Sequence, residues 1–154
     1  MGKRYYLAYG SNLNVRQMKD RCPDARVLGT GEIEGYQLLF KGSKTGSYLT
    51  IEKQEGSRVP VAVWEVSEND ELRLDRYEGY PIFYYKTEME ITFKGYKTGR
   101  KRTRNAFVYI MHEDYLLGIP TSHYMNICLE GYRIFGFEEA ILDKALNDSW
   151  EGMR

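Results

Sequence analysis

The stretch that decides how this chain is read is Arg4-Tyr5-Tyr6-Leu7-Ala8-Tyr9-Gly10-Ser11-Asn12-Leu13. Its first six residues are aromatic and aliphatic behind a single cation, the composition of a short buried strand. The strand stops at Gly10-Ser11-Asn12. Helix formers then run from Asn14 to Arg21, with Asn12 or Asn14 placed to cap them. A strand ending in Gly-Ser-Asn before a helix leaves several backbone N–H groups unpaired and pointing one way. The helix dipole adds to their positive potential, so the turn can hold a carboxylate or a phosphate. Gly10 permits close approach, and Ser11 and Asn12 add side-chain donors. A plain tight turn capped by Asn12 fits the same residues, and this stretch alone leaves both readings open. The glycine-lysine spacing of a nucleotide phosphate loop is absent, and Ser11 does not sit in a Gly-x-Ser-x-Gly nucleophile elbow.

Working outward, Cys22-Pro23-Asp24 ends the first helix. Strand patterns are expected at residues 25–32, 36–41, 47–52 and 59–66, separated mostly by glycine-bearing turns. Ser67-Glu68-Asn69-Asp70 has capping-box spacing and opens a short helix through Leu72, Leu74 and Tyr77, closing at Glu78-Gly79. Two long strands follow at 84–93 and 103–111, joined by a basic, glycine-containing turn. The last third reads as helices over 122–129 and 138–147, with Gly131 and Gly136 between them. No linker or repeat interrupts the pattern, so residues 1–154 are expected to form one α+β domain.

Composition narrows the partners. Lys+Arg and Asp+Glu both number 22, and this balance removes the electrostatic case for nucleic acid or an anionic membrane surface. The aromatic N-terminus is too short for a signal-peptide core and nothing approaches a membrane span, so a cytoplasmic location is expected. Cys22 and Cys128 are expected as free thiols. Fourteen tyrosines suit strands and half-buried surfaces, and some can line a pocket and orient a polar substrate.

The second chemically loaded stretch is Leu74-Asp75-Arg76-Tyr77-Glu78-Gly79-Tyr80-Pro81. Glu78 falls at a helix C-terminus, where partial negative charge accumulates. If buried between Tyr77 and Tyr80, its pKa should rise into the range of a group that takes and returns a proton near neutral pH. A solvated glutamate before a C-cap glycine fits the pattern too.

Taken together, Tyr9-Gly10-Ser11-Asn12-Leu13 after an N-terminal strand and Leu-Asp-x-x-Glu-Gly about 65 residues later resemble the γ-glutamylcyclotransferase family and its AIG2-like relatives. Tyr85, seven residues beyond Glu78, resembles the family's pocket tyrosine. Pro120-Thr121-Ser122-His123-Tyr124, with the following Ile127 and Gly131, resembles the segment that closes the cavity with a second tyrosine. The resemblance implies a small mixed β-barrel flanked by helices. It implies an enzyme that cyclises a γ-glutamyl group to 5-oxoproline and releases the attached amine, with no metal or cofactor. In that scheme the 9–13 loop holds the glutamyl α-carboxylate, Glu78 is the acid–base residue, and Tyr85 and Tyr124 line the pocket. Of Tyr84 and Tyr85 only one can face inward, and Tyr85 is the one expected. The partner implied is a small γ-glutamyl molecule, its leaving amine and the oligomeric state left open. A non-catalytic carboxylate-binding domain of the same fold is the alternative, and an enzyme acting on another amide or ester is a third.

Other signals point away from chemistry. Lys-Thr-Gly at 44–46 and 97–99 reads as hairpin turns, since the Ser-x-x-Lys motif of penicillin-recognising enzymes is missing. His112 and His123 are too few for a zinc site. Arg100-Lys101-Arg102-Thr103-Arg104 reads as a solvated hairpin edge that discourages edge pairing, with contact to an acidic substrate tail as the alternative.

Overall fold

Two hairpins and one short strand close into a barrel. The computed structural model describes residues 2–43 and 46–154, so the turn expected at Lys44 and Thr45 lies outside the described residues. The strands are β1 (Arg4–Ala8), β2 (Arg26–Lys41), β3 (Tyr48–Val66), β4 (Tyr84–Gly95) and β5 (Lys101–Met111). The helices are α1 (Val15–Arg21), α2 (Glu68–Glu78), α3 (Ser122–Phe135) and α4 (Ala140–Met153). Strand order around the barrel is β1-β3-β2-β4-β5. β2 with β3 and β4 with β5 form antiparallel hairpins, and β1 lies antiparallel to β3 and parallel to β5. The expected α+β class and mixed barrel are both present.

Closure occurs where β2 crosses β4, Gly29 to Gly31 pairing with Gly95 to Phe93. A side chain at Gly29 would place its Cβ 2.0 Å from the Lys94 carbonyl oxygen, so this crossing requires glycine. The four strands expected between 25 and 66 are two long ones, each running through its expected break. Gly35 leaves Glu34 and Tyr36 paired with Arg58 and Lys53, a bulge that bends the hairpin without ending it.

The caps follow local chemistry. Asn14 accepts from the Gln17 N–H at the start of α1, and Ser67 accepts from the Asp70 N–H at the start of α2. α2 ends as expected at Glu78, with Gly79 left-handed at φ 65°. β5 begins at Lys101, and the 97–99 turn closes its hairpin with a Gly95 N–H to Arg100 O bond of 2.9 Å. α3 runs straight through Gly131 to Gly136 instead of breaking. Gly131 is there for close packing: a Cβ would lie 2.6 Å from that of Leu13. α4 docks on the barrel through Ser149, whose Oγ accepts the Phe40 N–H at 2.9 Å. Phe40, Ile51, Val61, Val63, Phe107 and Tyr132 are among the buried core residues, and both cysteines are buried and free. No helix among the described residues is long and apolar enough to cross a membrane.

Candidate active site

Beside the barrel, between the end of β1, the C-terminus of α2 and the start of α3, lies a cavity of about 380 Å³. That is the size of a small-molecule site. β1 delivers Tyr9, Gly10, Ser11 and Asn12 to it, α2 delivers Glu78, and α3 delivers Tyr124.

The loop after β1 is not the direct entry to a long helix. It forms a 3-10 turn over Ser11–Leu13, and α1 starts only at Val15. The Leu13 N–H donates to the Gly10 carbonyl and the Asn14 N–H to the Ser11 carbonyl, each at 3.0 Å. The first N–H groups of such a turn have no intrahelical acceptor. Those of Ser11 and Asn12 find no backbone acceptor among the described residues. The donors are therefore those of Ser11 and Asn12, and the dipole of α1 is set back from them. Leu13 departs from expectation. Its N–H is used within the turn and its side chain is fully buried against Gly131, so it supports the loop from behind without lining the cavity.

The loop's side chains are held from several directions. The Asn12 amide donates to the Tyr6 hydroxyl at 2.9 Å, and its carbonyl accepts from Arg21. Arg21 in turn stacks on the Tyr77 ring, 3.4 Å from its centroid. Ser11 Oγ and the Tyr77 hydroxyl share a hydrogen bond of 2.8 Å. Tyr77 thus ties the loop to α2, one residue before Glu78.

Glu78 lines the cavity half-buried, and its carboxylate has no hydrogen-bond partner among the described residues. Burial pushes its carboxyl up to about 8, against the opposing pull of the Arg21 charge. Arg21 does not ion-pair with it. Burial also holds the Tyr6, Tyr9, Tyr84 and Tyr124 hydroxyls well above their usual range, so they remain neutral hydrogen-bonding groups around the carboxyl. Glu78 is the acid–base candidate that the wall of the cavity presents.

A network behind the site fixes α2 against the barrel. Asp75 accepts from the Tyr109 hydroxyl at 2.6 Å and from Lys86 at 2.8 Å, and Lys86 also reaches Glu71 at 2.7 Å. Asp75 lies one helical turn before Glu78, so these bonds to β4 and β5 set the position of the carboxyl.

The choice between Tyr84 and Tyr85 comes out opposite to expectation. Tyr84 lines the cavity and donates to the Leu49 carbonyl at 2.7 Å, whereas Tyr85 points outward and donates to Glu113 at 2.5 Å. The β4–β5 register puts Tyr84 on one face with Met111 and Tyr85 on the other with Ile110, and the Tyr84 face is the one that meets Leu49 of β3 at the cavity. Tyr124 stands where expected, accepting from the Leu49 N–H at 3.1 Å. Tyr77 walls the cavity as expected, while Tyr80 lies outside its lining. Tyr6, Tyr48, Arg76, Phe83 and Tyr109 also line it and were not singled out from sequence. Tyr6 had a signal, since alternation along β1 puts it on the same face as Gly10. The others depend on pairings between distant strands. Among the described residues no group of three His, Cys, Asp or Glu side chains is arranged to hold a metal ion.

Comparison with known proteins agrees with this architecture. The family model described as "Gamma-glutamyl cyclotransferase, AIG2-like" matches residues 6–126. Among solved structures, one titled "Gamma-glutamyl cyclotransferase" superposes with a TM-score of 0.78 at 24% identity, covering 93% of this chain and 86% of that one. An uncharacterised human protein gives a TM-score of 0.75 at 25% identity, covering 94% and 87%. A yeast γ-glutamyl cyclotransferase, titled as specific to glutathione, gives 0.63 at 11% identity, covering 94% and 96%. A search of curated proteins finds no match.

Proposed function

Because the chain belongs to the AIG2-like γ-glutamyl cyclotransferase family, we propose that it converts a γ-glutamyl amide to 5-oxoproline and a free amine, with Glu78 as the acid–base residue. The observation that carries this is the Glu78 carboxyl, raised to about 8 by burial and free of hydrogen bonds, in one cavity with the unpaired N–H groups of Ser11 and Asn12.

The chemistry follows from the layout. The loop N–H groups, with Asn12 and Ser11 beside them, receive the glutamyl α-carboxylate. The α-ammonium then lies toward Glu78. The raised proton affinity of the Glu78 carboxylate suits it to take a proton from that ammonium. An ammonium brought beside the carboxyl also favours its ionised form. The neutral amine attacks the γ-carbonyl carbon, forming the lactam C–N bond. Protonated Glu78 gives its proton to the leaving nitrogen as the original amide C–N bond breaks, then takes the surplus proton of the ring nitrogen and passes it to the departing amine, which leaves as an ammonium with Glu78 ionised again. Nucleophile and electrophile belong to one molecule, so holding it folded supplies much of the acceleration. The aromatic walls, including Tyr84, Tyr109 and Tyr124, exclude water from the folded substrate.

The test is 5-oxoproline release from a panel of γ-glutamyl amino acids and γ-glutamyl amines. Turnover by the wild type and its loss in Glu78→Gln supports the assignment. An equally active Glu78→Gln sinks it. Binding of panel members without turnover would instead favour a carboxylate-binding domain of the same fold.

A further inference from the structure

The cavity lining carries two ionisable charges, Glu78 and Arg76. They differ in setting. Glu78 is half-buried, whereas Arg76 is exposed and yet lines the cavity, which puts it at the mouth. The nearby cations are engaged: Arg21 bonds Asn12 and stacks on Tyr77, and Lys86 pairs with Glu71 and Asp75. Arg76 has no ion pair or side-chain hydrogen bond among the described residues. The positive charge bearing on Glu78 is that of Arg21. The same lining includes the rings of Tyr48 and Phe83. The mouth therefore holds one guanidinium that is not paired among the described residues.

We infer that Arg76 selects the leaving half of the substrate, binding a carboxylate there, so that the preferred substrates are γ-glutamyl amino acids and peptides rather than γ-glutamyl alkylamines. This rests on the proposed cyclotransferase reaction and deepens it. The glutamyl half brings one positive and one negative charge, and the loop N–H groups together with Glu78 already answer both. A leaving α-amino acid adds a carboxylate a few bonds beyond the scissile nitrogen, on the side facing the mouth. A planar guanidinium can grip that carboxylate with two parallel N–H bonds. A leaving alkylamine has nothing for Arg76 to hold. A cation at the mouth without a counter-charge of its own works by electrostatic complementarity, favouring the anionic leaving group.

The experiment uses a matched pair differing only in that carboxylate: γ-glutamylalanine and γ-glutamylethylamide. Each is assayed for 5-oxoproline and titrated by calorimetry against the wild type, Arg76→Gln and Arg76→Lys. The wild type is expected to prefer γ-glutamylalanine by roughly tenfold or more in kcat/KM, mainly through KM. Arg76→Gln should bring the ratio close to one, and Arg76→Lys should recover part of it. A wild-type preference for the ethylamide overturns the inference, as does a ratio unchanged in Arg76→Gln. Equal losses on both substrates also overturn it, because they would assign Arg76 to the glutamyl half. If neither compound is turned over, the cyclotransferase proposal fails on its own. Calorimetry still decides Arg76 in that case: tighter γ-glutamylalanine binding that depends on Arg76 supports the carboxylate site, and its absence refutes it.

Discussion

Replacing Glu78 by glutamine should change how the stability of the fold depends on pH, with no substrate present. An ordinary glutamate carboxyl titrates at 4.5, and burial carries that of Glu78 to about 8. The native state therefore holds this proton more tightly than the unfolded chain does. Its stabilising effect is complete below the unfolded value and is lost as pH rises through the native one. At ~1.4 kcal/mol per pH unit, the wild type should lose about 3 kcal/mol relative to Glu78→Gln between about pH 5 and pH 8. For a chain of 154 residues that corresponds to roughly 6–12 °C of Tm. Urea or thermal unfolding of both proteins at half-unit pH steps measures it, since glutamine keeps the shape of the side chain without the titration. The Tm gap should widen steadily from pH 5 to pH 8 and then level off. Parallel curves across that window would mean that Glu78 titrates as an ordinary carboxyl, and the site would then lack its acid–base group.

Further outcomes follow from the same geometry. In the pH profile of 5-oxoproline formation, kcat/KM should rise with pH through a midpoint near 8 as Glu78 ionises and level off above it; a plateau already complete at pH 6 would contradict it. Tyr84→Phe should cost about 1–3 kcal/mol, because the Leu49 carbonyl loses a buried donor, and should raise KM. Tyr85→Phe, removing an outward bond to Glu113, should change stability by under about 1 kcal/mol and leave KM alone. Gly131→Ala should destabilise by about 1–3 kcal/mol despite the better helix former, since its methyl meets Leu13 at 2.6 Å; a higher Tm would refute the packing account. Gly10→Ala would place a Cβ 3.2 Å from the Tyr124 hydroxyl on the cavity wall, so a several-fold rise in KM with little change in Tm is expected.

Much of this molecule was legible because it depends on neighbours in the chain. The cap at Ser67 and the stop at Glu78-Gly79 are choices made within one helical turn and stand as expected, and of the two caps the sequence offers the first helix, Asn14 is the one used. The failures have a common cause. Gly131 looks like a local breaker, yet it lets α3 press on Leu13. The bulge at Gly35 continues a strand only because β3 runs alongside it. The inward tyrosine on β4 was misassigned because adjacent strand residues face opposite ways. Which of the two faces the cavity is set by how β4 packs against distant strands, Tyr84 reaching Leu49 of β3.

The 9–13 loop shows the division most clearly. From sequence alone came a strand ending in a donor-rich turn and, with the Leu-Asp-x-x-Glu-Gly motif, the resemblance to the cyclotransferase family, since short-range backbone geometry depends on the residues that carry it. Tertiary structure decided which donors remain free. The turn consumes the Leu13 N–H, α3 buries Leu13, and Arg21 and Tyr77 anchor Asn12 and Ser11. It also decided the acidity of Glu78. Desolvation sums everything packed around a carboxyl, and those atoms come from strands and helices far away in the sequence.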